Sequence, residues 1–319
     1  MLCHNAYQLH TKRKNVKELF EGLIHPSLHG CEYTPGSKRI TYHSTINNTE
    51  TERILLTKPN FQNKTAEIRK LIVPREDNRS IVALDITSQE VVILIYDVMT
   101  NTRLKQLAVE LGGYYAFAAY FGIEFTPEVK SVIKIPILSI MNGKSLNSMK
   151  RELAESPSDG VMGYTEKLEL LEKVYNLKTE DPCYKAIYDR AVKESTKANP
   201  VRRGLLGTEK LITKQGKYGG PGEKRRQVIN ANFQLTASEI VATSLHAMYL
   251  DLLTRNNKYN LSIEQLTPTA TIYDEVNFDV DNEVLEEAKE LIQFYVLPQV
   301  EGWARFEGKL TVGTHYVPK

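Results

Sequence analysis

Two carboxylate positions far apart in the chain have the setting that metal chemistry needs. Asp85 follows the short apolar run Ile81-Val82-Ala83-Leu84, which reads as a buried strand. A carboxylate at the tip of such a strand is dry behind and wet in front, which suits a ligand for a hard cation. The plainer alternative is that Asp85 only caps a helix starting near Ser88. Asp274 and Glu275 stand at a turn inside Thr271–Val280, whose apolar and polar residues alternate as in a half-buried strand or hairpin. Adjacent acids at a turn are by themselves most often solvated. Two strand-end aspartates from distant segments can nevertheless meet and share two magnesium ions.

Two further sets have helical spacing. Lys130, Lys134, Leu138 and Asn142 fall at i, i+4 steps on one face of a helix with a good start: Thr126 as cap, Pro127 in the first turn, Glu128 near the positive end. Two lysines on one helix face, taken alone, read as solvated. Pro136 lies inside this helix and is expected to kink or restart it. Arg226, Asn230 and Gln234 also share a face, opposite Val228, Ile229, Phe233, Ile240, Val241 and Leu245. Polar side chains spaced this way can contact a duplex minor groove.

The elements that must position these residues follow from the rest of the pattern. Lys38–Ser44 reads as a strand, Asp97–Gly122 as helix broken at Gly112-Gly113, and Tyr114–Gly122 as a packed core helix. Glu152–Val192 reads as charged amphipathic helices. Lys197–Arg226 carries nine lysines and arginines against Glu209 and Glu223, with the glycine-rich Gly216–Gly222 inside it, as a flexible basic hairpin for phosphate contact would. Asn282–Val296 is an amphipathic helix, and Gly308–Val317 a closing strand.

Composition sets the outer bounds. The 319 residues are 41% apolar and 25% charged with net charge +2, an ordinary globular composition. Any nucleic-acid-binding surface must therefore be local. No apolar run approaches the roughly 18 residues of a membrane span. Cys3, Cys31 and Cys183 are scattered, as free thiols in a reducing cytoplasm are. Cys3, His4, His10, His25, His29 and Cys31 do not have zinc-site spacing. Lys12–Leu23 reads as an amphipathic helix.

The ordered set of motifs resembles the family A DNA polymerases, the relatives of bacterial DNA polymerase I. Asp85-Ile-Thr-Ser-Gln-Glu90 and Tyr273-Asp274-Glu275-Val276 look like the family's first and third signature motifs. Arg53-Ile-Leu-Leu-Thr-Lys-Pro59-Asn60-Phe-Gln62-Asn63 is similar to its Arg-Leu-Ser-Ser…Pro-Asn-Leu-Gln-Asn stretch. Ile68-Arg69 with Val73-Pro74, and Arg226…Asn230…Gln234, match further pieces in the same order, over about residues 20 to 319.

The resemblance implies an α+β fold: a right-hand palm with an antiparallel sheet and inserted helical fingers, thumb and exonuclease domain largely absent. It implies a residual thumb or N-terminal segment over 1–35, palm over 36–95 and 222–319, and fingers over 96–221. It implies template-directed transfer of deoxynucleotides to a primer 3′-hydroxyl. Asp85 and Asp274 would hold two Mg²⁺ ions, or Mn²⁺, with Glu275 in support and Lys134 as proton donor. Lys130, Lys134, Leu138, Asn142, Gln89 and Glu90 would meet the nucleotide. Arg53, Asn60, Gln62, Arg226, Asn230, Gln234 and Tyr273 would meet DNA.

The family's usual residues differ at several of these places. Lys130 stands for an arginine, Leu138 for an aromatic, Asn142 for a tyrosine, Tyr273 for a histidine, and Leu235-Thr236-Ala237 for Gly-Thr-Ala. The expected partners are primed template DNA, deoxynucleotides and a second protein chain supplying thumb or exonuclease functions, with no membrane. The expected location is cytoplasmic, the host's cytoplasm for a phage protein. A single-subunit RNA polymerase or primer-making enzyme, and a non-catalytic polymerase-like subunit, are the alternative readings.

Overall fold

Alternation in two strands builds the sheet that carries the acids. In the computed structural model, which describes residues 43–45, 55–57, 62, 69–70, 72–124, 126–155, 162–212, 221–272, 274–297 and 306–316, β3 (Arg79–Thr87) pairs antiparallel with β7 (Glu275–Asp281). β6 (Leu266–Ile272) pairs antiparallel with β7 as a hairpin, and β8 (Glu307–Gly313) lies on the other side of β3, giving the order β6-β7-β3-β8. β1 (His43–Thr45) and β2 (Leu55–Thr57) form a separate antiparallel pair.

Successive strand residues point to opposite faces. On one face β3 supplies Val82, Leu84 and Ile86 and β7 supplies Val276, Phe278 and Val280, all buried. On the other, β7 presents Glu275, Asn277 and Asp279, which are also buried. Their register partners on β3 are Asp85, Ala83 and Ile81. Both faces of β7 are therefore covered, and the polar face needs partners of its own. Asp279 finds them in Arg79, paired through its Nε, and in Arg75, whose backbone N–H donates to Oδ2 at 3.0 Å. Arg79 also donates to the Asp279 carbonyl at 2.8 Å. These ties lock β3 to β7 at the end remote from Asp85.

The chain falls into two compact units. The first comprises residues 1–86, 243–297 and 308–319; the second comprises 87–242 and 298–307. The sheet belongs to the first unit, together with a 3-10 turn (Asn282–Val284) and a helix, Leu285–Val296, which contacts β7 and buries Ala288, Leu291, Ile292 and Val296.

The second unit is helical. Helix α1 (Gln89–Ile93) runs into a π-helical stretch, Leu94–Val98; then come α2 (Thr102–Leu111), α3 (Gly113–Tyr120), α4 (Pro127–Met141), α5 (Leu146–Glu155), α6 (Tyr164–Glu180) and α7 (Pro182–Ser195). A small hairpin, β4 (Val201–Arg203) and β5 (Glu209–Leu211), precedes the 34-residue α8 (Pro221–Thr254). The Leu285–Val296 helix is α9. Among the described residues no helix is long and apolar enough to cross a membrane.

A helix does start after Ser88, although the serine has a left-handed φ of 54° and makes no side-chain cap bond. Two local expectations are revised. Pro136 neither ends nor restarts α4, which continues to Met141; proline removes only its own N–H donor, and Pro136 is buried in the packing. Lys224, Arg225 and Arg226 belong to the first turns of α8 rather than to the basic hairpin. Thr126 caps α4 as expected, accepting from the Val129 N–H at 3.3 Å, and Tyr114, Ala116, Phe117 and Ala118 of α3 are core residues.

Candidate active site

Asp85 and Asp274 come from neighbouring ends of the same strand pair. The β3–β7 ladder ends at the pair Asp85–Glu275, and the next tie is the Ile86 N–H donating to the Asp274 carbonyl at 3.1 Å. Asp85 lies within the strand rather than in a helix cap, and both aspartates are partly exposed. Glu275 is not: it is 4% exposed, and its Oε1 accepts from the Asn277 amide at 3.1 Å. The Tyr316 hydroxyl also bonds Glu275. Burial chiefly, and then this carboxylate, hold the Tyr316 hydroxyl far above its ordinary pKa, so it stays a donor. Gly308 of β8 passes so close that a Cβ there would meet Leu84 at 2.8 Å and the Asp85 carbonyl oxygen at 3.1 Å.

In the helical unit, Thr87, Ser88, Tyr96, Gly112, Tyr114, Lys130 and Glu307 help line a cavity of about 190 Å³. Lys130 is half-buried at its wall and Lys134, one turn on, is exposed. At the α2–α3 break Gly112 takes a φ of 85°; a Cβ on Gly113 would touch Val91 at 3.2 Å. Gln89 is buried and donates to the Ala237 carbonyl of α8 at 3.2 Å. Glu90 is half-buried.

The end of α4 is pinned. The Asn142 amide donates to the Leu138 carbonyl at 2.7 Å and its Oδ1 accepts from the Asn230 amide of α8 at 2.8 Å. Gly143, at φ 67°, lies where a Cβ would fall 2.7 Å from Ile229. Arg226 is exposed and Gln234 half-buried. In the β4–β5 hairpin, Arg202 is buried, so this one basic side chain expected to meet phosphate lies inside the protein, whereas Arg203 is exposed and pairs at the surface with Glu209 at 2.7 Å. Gln62 donates its amide to the Thr271 carbonyl at 2.9 Å. Arg53, Asn60, Tyr273, Lys214, Lys217 and the N-terminal cysteines and histidines lie outside the described residues.

The sequence profile of DNA polymerase family A matches residues 12–313, nearly the whole chain. The chain belongs to DNA polymerase family A. Among solved structures it is similar to the POL domain of Pol1 from M. smegmatis, solved with DNA primer-template and dNTP, at 16% identity and a TM-score of 0.70. That match covers 96% of this chain and 52% of the other, so the chain spans about half its length. At this identity the likeness shows the fold alone. A comparison with curated proteins finds no match.

Family A polymerases use divalent metals, and the residues here fit them. The donors are carboxylate oxygens, partly exposed, at adjacent positions of one strand pair. Among the described residues no group of three or more His, Cys, Asp or Glu gathers around a point. Magnesium takes one or two protein carboxylates and completes its octahedron with water and substrate phosphates.

Tyr316 and Asn277 escaped the reading of the family A motifs. The available signal was the alternation of β7, which forces Glu275 and Asn277 onto one face. Nothing in the sequence shows that Tyr316 reaches it.

Proposed function

We propose that the chain is the core of a template-directed DNA polymerase that joins a deoxynucleotide to a primer 3′-hydroxyl. The observation that supports the reading is that, in a family A chain, the β3–β7 ladder ends at Asp85 and the backbone of Asp274 is tied to the next residue of β3. The sheet unit then acts as palm and the helical unit as fingers. The 3′-oxygen attacks the α-phosphorus, the bond to the β-phosphate oxygen breaks, and pyrophosphate leaves. Asp85 and Asp274 would hold the metals, and magnesium there would supply charge neutralisation and lower the pKa of the 3′-hydroxyl, whose proton would pass to solvent. Lys130 and Lys134 neutralise the triphosphate, and Lys134 gives a proton to the leaving pyrophosphate. The cavity beside Lys130 receives phosphate oxygens.

Arg226, Asn230 and Gln234 face the duplex, and Glu90 stands beneath the sugar as a block to a 2′-hydroxyl. Leu138 and Asn142 complete the nucleotide side, with Arg53 and Tyr273 at the primer end. A second protein chain completes the grip on DNA.

Magnesium-dependent extension of a primed template, with deoxy- and ribonucleotides in parallel, tests the reading. Extension with deoxynucleotides is expected. Equal use of ribonucleotides would instead make the chain an RNA polymerase or primer-making enzyme, and no extension with either a non-catalytic subunit.

A further inference from the structure

We propose that Tyr316 is a positioning residue for the acidic end of the sheet: its hydroxyl, together with the Asn277 amide, fixes the Glu275 carboxylate beside Asp85. The inference rests on the polymerase reading and deepens it.

Glu275 is 4% exposed and Tyr316 1%. A carboxylate so deeply placed is tolerated only when donors replace the water it has lost. Two side chains contribute to this. Asn277 sits two residues along the same strand face and donates to Oε1 at 3.1 Å. Tyr316 comes from beyond the end of β8 and brings the second bond. Across the ladder, Asp85 is the direct partner of Glu275, so two negative side chains share one face and repel. A carboxylate held by a single donor can turn about its last bond; held by two, it has one orientation. The neighbouring acid is then set against a fixed charge.

Tyr316 is itself well fixed. Its N–H donates to the Ile72 carbonyl at 2.8 Å. Its ring lies in a cluster with Ile81, Ala83 and Ile272. The Arg69 guanidinium sits 5.7 Å from the ring centre. The aromatic body packs, and the hydroxyl is the part that acts on the site. Tyr316→Phe separates the two, because it keeps the ring and removes the donor.

The test has two arms. In single-turnover incorporation of one deoxynucleotide, Tyr316→Phe should lower the maximal rate by about tenfold and change the apparent nucleotide Kd less than about twofold, the pattern of a group acting on the transition state rather than on binding. In a Glu275→Gln background the same change should cost less than about twofold, because the partner is already altered. The second arm needs no activity. In urea unfolding of the four chains, the double variant's unfolding constant should differ by at least about threefold from the product of the single effects. A wild-type rate for Tyr316→Phe, or independent effects in the unfolding cycle, overturns the proposal. Absence of extension by the wild type overturns the polymerase reading instead, and leaves the unfolding arm to decide whether the contact exists.

Discussion

Lys178 shows how far a single buried charge can be carried by its surroundings. It is 3% exposed, with its ammonium 4.4 Å from the Tyr188 ring centre and 4.9 Å from that of Tyr175. Burial, and then the Arg225 charge, pull its pKa down to about 8 from an ordinary 10.5. Between those values the unfolded chain holds more protons than the folded one, so the Lys178 contribution to stability rises with pH. It is complete above about 10.5, is lost as pH falls toward 8, and stays lost below. Urea midpoints from about pH 7.5 to about 9.5 should climb for the wild type more steeply than for Lys178→Met, and Lys178→Met should be the more stable chain near pH 7.

Glu90 belongs to the same scale, and under the proposed function it acts on substrate. Removing a steric block relaxes selectivity more than it helps the correct substrate. Glu90→Ala should therefore raise ribonucleotide use relative to deoxynucleotide use, measured as a ratio of incorporation efficiencies; an unchanged ratio would assign sugar choice elsewhere.

The central element is α8, and it shows what could be read from the sequence and what could not. Helical spacing places Arg226, Asn230 and Gln234 on one face and an apolar set opposite, and the structure agrees in burying Val228, Ile229, Phe233, Ile240 and Val241. It also buries Asn232 and Thr236 completely. Periodicity ranks residues by polarity and finds these two no place inside. They are there because their partners are distant in the chain: Asn232 accepts from Arg190, 42 residues away, and Thr236 accepts from the Leu205 N–H, 31 residues away, at 2.7 Å. The β6–β7 hairpin, by contrast, was legible, because both its strands and its turn are local. The site was legible as two separate aspartates; that the ladder ends on Glu275 and that Tyr316 arrives there depend on register and on a distant strand.

Close packing at two glycines yields tests of the elements. Gly143→Ala combines a left-handed φ with a Cβ 2.7 Å from Ile229, and should cost about 1–3 kcal/mol in unfolding free energy. Gly308→Ala would press on Leu84, Leu297 and the Asp85 carbonyl. It should lower both the melting temperature and the extension rate, whereas an exposed glycine such as Gly207, with nothing within 4 Å of a Cβ, tests its unfavourable φ alone.

For the whole molecule, a net charge of +2 leaves little long-range attraction for DNA. Under the polymerase reading, binding comes from local groups, and in the β4–β5 hairpin Arg202 is buried. Neutralising Lys210, Lys214 and Lys217 together should weaken binding to all sequences alike and flatten the dependence of log affinity on log salt, by roughly one unit of slope for each phosphate no longer neutralised. An unchanged slope would place this segment away from DNA.

The most direct measurement is single-nucleotide incorporation into a primed template with magnesium, comparing the wild type with Asp85→Ala and Asp274→Ala, each checked for folding by circular dichroism and for primer-template binding by fluorescence anisotropy. The metal-holding role proposed for Asp85 and Asp274 predicts that either substitution abolishes incorporation while the chain stays folded and still binds DNA. Near wild-type incorporation by either variant would contradict the account, because a site that works without one of these carboxylates does not hold its metals where the end of the β3–β7 pair puts them.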